Sequence, residues 1–139
     1  MQDRPDTREL IQAVGDFLDR ELLPAITDPR LRFRALVAAN VLKIVGRELA
    51  AGDAPRRAEW QRLTALLNEM DAPLPPRDED LRNAVLELNR RLAARIRAGE
   101  MDVGAEFDRA LSHALMTVQE KLEIANPRYL HRVLNASPE

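Results

Sequence analysis

The stretch from Asp28 to Gly52, DPRLRFRALVAANVLKIVGRELAAG, restricts what this chain can fold into more than any other. It opens with Asp-Pro, an N-cap followed by proline at the first helical position, where a missing N–H costs nothing. It closes at Gly52, which suits the left-handed residue that ends a helix. At about 100° per residue, Phe33, Leu36, Val37, Val41, Leu42, Ile44, Val45 and Leu49 spread around roughly two-thirds of the circumference. That is too wide for a helix with one wet side. The narrow remaining strip holds Arg32, Lys43 and Arg47, with small Ala35, Ala39 and Gly46 between them. The pattern predicts a central helix, the most buried in the protein, against which the others pack.

The other helices can be read in chain order. A first helix starts at Asp6 or Thr7, with Asp6 and Glu9 at capping-box spacing. Its apolar stripe is Leu10, Ile11, Val14, Phe17, Leu18 and Leu22, and Pro24 ends or bends it. After the central helix, Arg56 to Met70 presents Trp60, Leu63, Leu67 and Met70 on one side. Prolines at 73, 75 and 76 then break the chain, because proline cannot continue a helix. A fourth helix starts at Asp78, with Glu79 and Asp80 complementing its dipole, and carries Leu81, Val85, Leu88, Leu92 and Ile96 to a stop at Gly99. Glu87 and Arg91 form an i,i+4 pair on its outer face. A fifth helix puts Phe107, Leu111, Ala114, Leu115, Val118 and Leu122 on one face and stops before Asn126-Pro127. A short last helix carries Tyr129, Leu130, Val133 and Leu134. No period-2 β-rich run occurs. The fold class is therefore all-α: a compact bundle of five longer helices and a short C-terminal one, built around 28–52. Each half of the chain would be marginal alone, so 1–139 is read as one domain with 72–77 as an internal turn.

Composition excludes much. A formal net charge of -2 gives no field that would recruit nucleic acid or an anionic membrane. Arg30, Arg32 and Arg34 do not line one helix face, and only 4% of residues are aromatic, so no nucleic-acid surface is expected. Of the 21 basic residues only Lys43 and Lys121 are lysine, a bias that suits GC-rich bacterial coding. With no cysteine, disulfides and thiolate sites are excluded. The N-terminus has no apolar signal core and no stretch approaches a membrane span, which points to a cytoplasmic protein. His113 and His131 have no metal-ligand spacing, and His113 falls on the polar side of its helix, where an exposed structural role is expected. Ser112 and Ser137 lie in no nucleophile elbow, and neighbouring Ser112 and His113 diverge on a helix. No catalytic residue, metal or cofactor is expected.

Three polar residues depart from the amphipathic pattern. Glu21 interrupts the stripe of the first helix, and Arg34 and Asn40 lie in the apolar arc of the central one. Buried polar groups cost several kcal/mol unless paired. Either these residues form a network that fixes how helices meet, or they floor a pocket with Arg34 as an anion hook. Pro127 turns the chain, which would return Arg128 and Tyr129 onto the bundle near Glu21, Arg34 or Asn40.

The stretches RPDTRELIQAVGDFL (4–18), LRFRALVAANVLKIVGREL (31–49) and KLEIANPRYL (121–130) resemble a bacterial domain family of unknown function. Its members are typically encoded beside aminoglycoside-phosphotransferase-like kinases and acyl-CoA dehydrogenases. From about Asp53 to Gly104 the likeness is one of helical character only. The resemblance carries no catalytic motif. It implies an accessory protein in a pathway handling acyl-CoA or related carboxylic substrates. Two functions stand: a non-catalytic helical interaction module working with a kinase-like phosphotransferase or acyl-CoA dehydrogenase, or a binding protein or weak enzyme for a carboxylate, phosphate or acyl-CoA-related molecule. The candidate residues for the second are Glu21, Arg34, Asn40, Arg128 and Tyr129. A homodimer through a leucine-rich face is compatible with either.

Overall fold

The computed structural model describes residues 4–136. They are helical along most of their length, with no strand among them, as the apolar spacing requires. The chain falls into two compact units. Unit 1 runs up to Gly52 and includes Ile124–Asn126; unit 2 comprises Asp53–Glu123 and the chain from Pro127 onward. The division lies at the short connection after the central helix, while the proline-rich stretch at 72–77 lies inside unit 2.

In unit 1, α1 (Thr7–Phe17) begins at the expected capping box: Glu9 N–H donates to Asp6 Oδ1 and Asp6 N–H donates to Glu9 Oε2, both at 2.8 Å. A π-helical stretch, Leu18–Leu22, comes next, and then a last turn, α2 (Leu23–Ala25). The wider π turn inserts an extra residue and shifts the helical phase of the residues beyond it. Leu23 turns inward and is buried, whereas Glu21 is exposed. After three residues α3 (Pro29–Ala51) begins, with the Leu31 N–H on the Asp28 carboxylate at 2.8 Å. It ends at Gly52, whose φ of 56° is one that a β-carbon disfavours. The hairpin is antiparallel, because Lys43 pairs with Asp19 at 2.5 Å while Arg32 donates to the Leu23 carbonyl at 3.4 Å. Arg47 donates to the carbonyls of Ile124 and Ala125, which helix geometry leaves without internal partners.

The central helix is not the most buried. Ala39 alone in α3 is fully enclosed, while Leu31, Phe33, Leu36, Val37, Val41 and Leu49 are about half exposed or more. The reason is visible in the strip that looked like its outer face. Buried Ala39 lies in the small-residue strip with Ala35 and Gly46, and Gly15 of α1 is buried as well. Small side chains there let two backbones approach, and the large apolar residues are left pointing away.

In unit 2, α4 (Ala54–Leu66) and α5 (Asp78–Arg97) hold the hydrophobic core: Trp60, Leu63, Leu66 and Leu67 pack with Leu81, Val85, Leu88 and Leu92, joined by Met101 and Ala110. This part of the periodicity is realised, although Ile96 is exposed. Helix α4 stops before Met70, because Asn68 adopts φ 61° and the Glu69 N–H returns to the Thr64 carbonyl at 2.7 Å. Asparagine is among the few residues that tolerate that conformation. The turn also aims Glu69 at Arg91, whose Nη1 lies 2.9 Å from Glu69 Oε2. Glu87 therefore pairs with Arg90 at 3.5 Å and not with Arg91. Arg56 joins Asp53 and Asp78, linking the starts of α4 and α5. Helices α6 (Gly104–Ala125) and α7 (Pro127–Leu134) complete the described chain. Among the described residues no helix is long and apolar enough to cross a membrane.

Candidate functional site

Helix α6 packs the wrong way round for its sequence. The residues turned inward are Ala110, His113 and Thr117, with Glu120 half-buried at the same spacing. The stripe expected to form the core is outside: Phe107 is 44% exposed, Leu111 45%, Leu115 61% and Val118 55%. An amphipathic helix normally buries its apolar stripe. In α6 the polar strip is tied to α4, where Arg62 meets Glu120 and Glu59 lies near Lys121.

Those groups are arranged in a layer. Arg62 of α4 grips Glu120 of α6 with two hydrogen bonds, Nη1 to Oε1 at 2.8 Å and Nη2 to Oε2 at 2.6 Å. Glu59, buried one turn earlier, accepts from Asn89 Nδ2 at 2.9 Å and lies 4.0 Å from the Lys121 ammonium. Asn89 is itself anchored on the Val85 carbonyl at 3.0 Å, and Thr64 donates to carbonyls of its own helix. The layer is incompletely satisfied. Arg62 Nε, His113 Nδ1 and Thr117 Oγ1 are buried without a hydrogen-bond partner among the described residues. A buried polar group left so costs about 1–3 kcal/mol.

His113 is therefore buried, contrary to the exposed position its helix face implied. The sequence does contain a signal for this: Glu59, Arg62, His113, Thr117 and Glu120 recur at helical spacing on two helices. It becomes decisive only once those helices are known to face each other. Burial holds the His113 imidazole below its ordinary range, Arg62 adds to this, and Glu59 and Glu120 oppose it. The unfolded chain then binds more protons than the folded one between the two pKa values. The associated stability is complete above the unfolded value of about 6.5 and is lost as pH falls below it. We predict that His113→Gln will flatten the decline of unit 2 stability between pH 7.5 and 5.5, measured by urea unfolding. A decline equal to that of the wild type would contradict this.

Beside the layer lies an open groove of about 380 Å³, floored by Ala65, Leu66 and Met116 and rimmed by Arg62, Asp108, Arg109, Ser112 and His113. Arg109 is paired with Glu106, as Arg62 is with Glu120, so both cations of the groove are already matched. What the groove can offer is an apolar floor with hydrogen-bonding groups and the Asp108 carboxylate at its rim. Among the described residues no group of His, Asp and Glu is disposed to hold a metal.

The five residues singled out by sequence divide between the units. Glu21, Arg34 and Asn40 belong to unit 1 and are all exposed. They form no buried network, because the π turn and the small-residue packing of α3 turn their faces outward. Arg128 and Tyr129 belong to unit 2 and are exposed on α7, whose buried anchor is Leu130.

Fold and surface together define an all-α protein with large apolar helix faces. The chain belongs to the family described as a domain of unknown function (DUF6285), whose model matches residues 24–129. Comparison with curated proteins found no match, and comparison with solved structures found none either.

Proposed function

We propose that this protein is a non-catalytic helical accessory module that docks on a partner protein through the outer face of α6. The observation that carries the proposal is the inverted packing of that helix. Phe107, Leu111, Leu115 and Val118 recur at i, i+4, i+8 and i+11, so they form one continuous apolar stripe in water. Fully burying side chains of this size is worth about 1.5–3 kcal/mol each. They are 44–61% exposed, so a partner helix or groove that covers them regains about half of that free energy, and four anchors at helical spacing suit helix-in-groove recognition. The layer of Arg62, Glu120, Glu59 and His113 fixes which face of α6 is presented.

The family resemblance suggests the partner: a kinase-like phosphotransferase or an acyl-CoA dehydrogenase of a bacterial acyl-CoA pathway, in the cytoplasm. The test is affinity purification of tagged protein from its native host, with bound proteins identified by mass spectrometry. We expect an enzyme of one of these classes to be retained by the wild type and lost with Leu111→Glu/Leu115→Glu. Because both positions are exposed, that variant should fold with unchanged stability. Equal retention by both proteins would overturn the assignment.

A further inference from the structure

A different surface, in unit 1, carries a second interaction. The antiparallel hairpin of α1, α2 and α3 encloses almost nothing: Leu23 of α2 and Ala39 of α3 are its only buried hydrophobic residues among those described. Leu10, Val14 and Phe17 on α1, and Phe33, Val37 and Val41 on α3, stand between 46% and 65% exposed. Two helices with apolar faces reach a stable arrangement only when a further layer covers them. We infer that the layer is a second copy of the same hairpin, giving a four-helix bundle between two molecules.

Charge selects this occupant. From Thr7 to Ala25 the chain carries four acids, Glu9, Asp16, Asp19 and Glu21, against the bases Arg8 and Arg20. Helix α3 carries five bases against the single acid Glu48. Within one copy Asp19 already pairs with Lys43 and Asp16 with Arg20, and Arg32 and Arg47 donate to backbone carbonyls. Glu21 on the acidic helix and Arg30 and Arg34 on the basic one take part in no ion pair among the described residues, and these opposite charges make the surface self-complementary, as a twofold interface requires. With the twofold along the bundle axis, each α1 lies between its own α3 and that of the second copy. All neighbouring helices then run antiparallel, the up-down arrangement of four-helix bundles. In that arrangement the two exposed charges set among apolar residues acquire a role. Glu21 lies near the hairpin tip on the acidic helix and Arg34 near the same tip on the basic one, so each faces its opposite across the interface.

Sedimentation equilibrium of the full chain at tens of micromolar tests the inference. The expected result is a dimer of twice the 15.7 kDa chain mass. Phe17→Glu/Val41→Glu should give a monomer with wild-type helicity, whereas Leu115→Glu in unit 2 should remain dimeric. Glu21→Arg should weaken the dimer at least tenfold, and adding Arg34→Glu to it should restore it. A monomeric wild type would overturn the inference. So would a dimer that survives Phe17→Glu/Val41→Glu, or one that Leu115→Glu dissociates. The α6 proposal fails separately, on loss or retention of the enzyme partner.

Discussion

Replacing Leu63 by alanine is expected to destabilise unit 2 by about 3–4 kcal/mol, the largest effect of any single substitution considered. Leu63 is wholly enclosed, at 0% exposure, in the middle of α4, with Leu81 of α5 at 1% in the same core. Truncation removes three buried carbons and leaves a cavity that the surrounding leucines can fill only in part. The chain's one tryptophan, Trp60, belongs to this same core, so its fluorescence in a urea titration reports unit 2 without a contribution from unit 1. The midpoint should fall with the slope unchanged. A loss below about 1 kcal/mol would mean that the core is not assembled around α4.

The next largest effect is expected at the Arg62–Glu120 pair. The two side chains are 19% and 29% exposed, and they share two hydrogen bonds of 2.6 and 2.8 Å. Removing one partner leaves the other charge half-buried beside His113, whose proton affinity Arg62 already lowers. Glu120→Ala should therefore cost about 2–3 kcal/mol. Replacing both, as Arg62→Met with Glu120→Leu, should cost much less, because no charge is stranded. The same fluorescence titration distinguishes these outcomes. If the double variant loses as much as Glu120→Ala, the pair matters for its shape and not for its charge.

Local chemistry was the most legible part of the sequence. The Asp6–Glu9 capping box, the Asp28-Pro29 start, the stop at Gly52 and the proline break after Ala72 are written in residue type, and the structure has each of them. So is the α5 stripe of Leu81, Val85, Leu88 and Leu92, because one regular apolar face meets one core. Which helix lies in the middle was not legible. A helix apolar around most of its circumference can be buried by neighbours in its own chain or by other molecules, and periodicity is silent between them. In α3 the small residues decided the matter, since Ala39 and Gly46 face the hairpin and Phe33 does not. The π turn at Leu18–Leu22 leaves no mark in a periodicity read at 100° per residue, which is why Glu21 reads as an interruption of a buried stripe. The buried polar layer is illegible in the sequence for a related reason. Polar strips on α4 and α6 each look like a wet face until they are set against each other.

The orientation of α6 is the claim on which the functional reading depends, and it can be measured directly. The chain has no cysteine of its own, so a single introduced thiol reports its site without background. Maleimide labelling should be rapid at Leu115→Cys and slow at Thr117→Cys, two positions on one helix turn that are 61% and 9% exposed. Adding an enzyme of the proposed partner class should then protect Leu115→Cys and leave the buried position unchanged. Rapid labelling at 117 with protection at 115 in the isolated chain would show α6 packed by its apolar stripe, and would contradict the account.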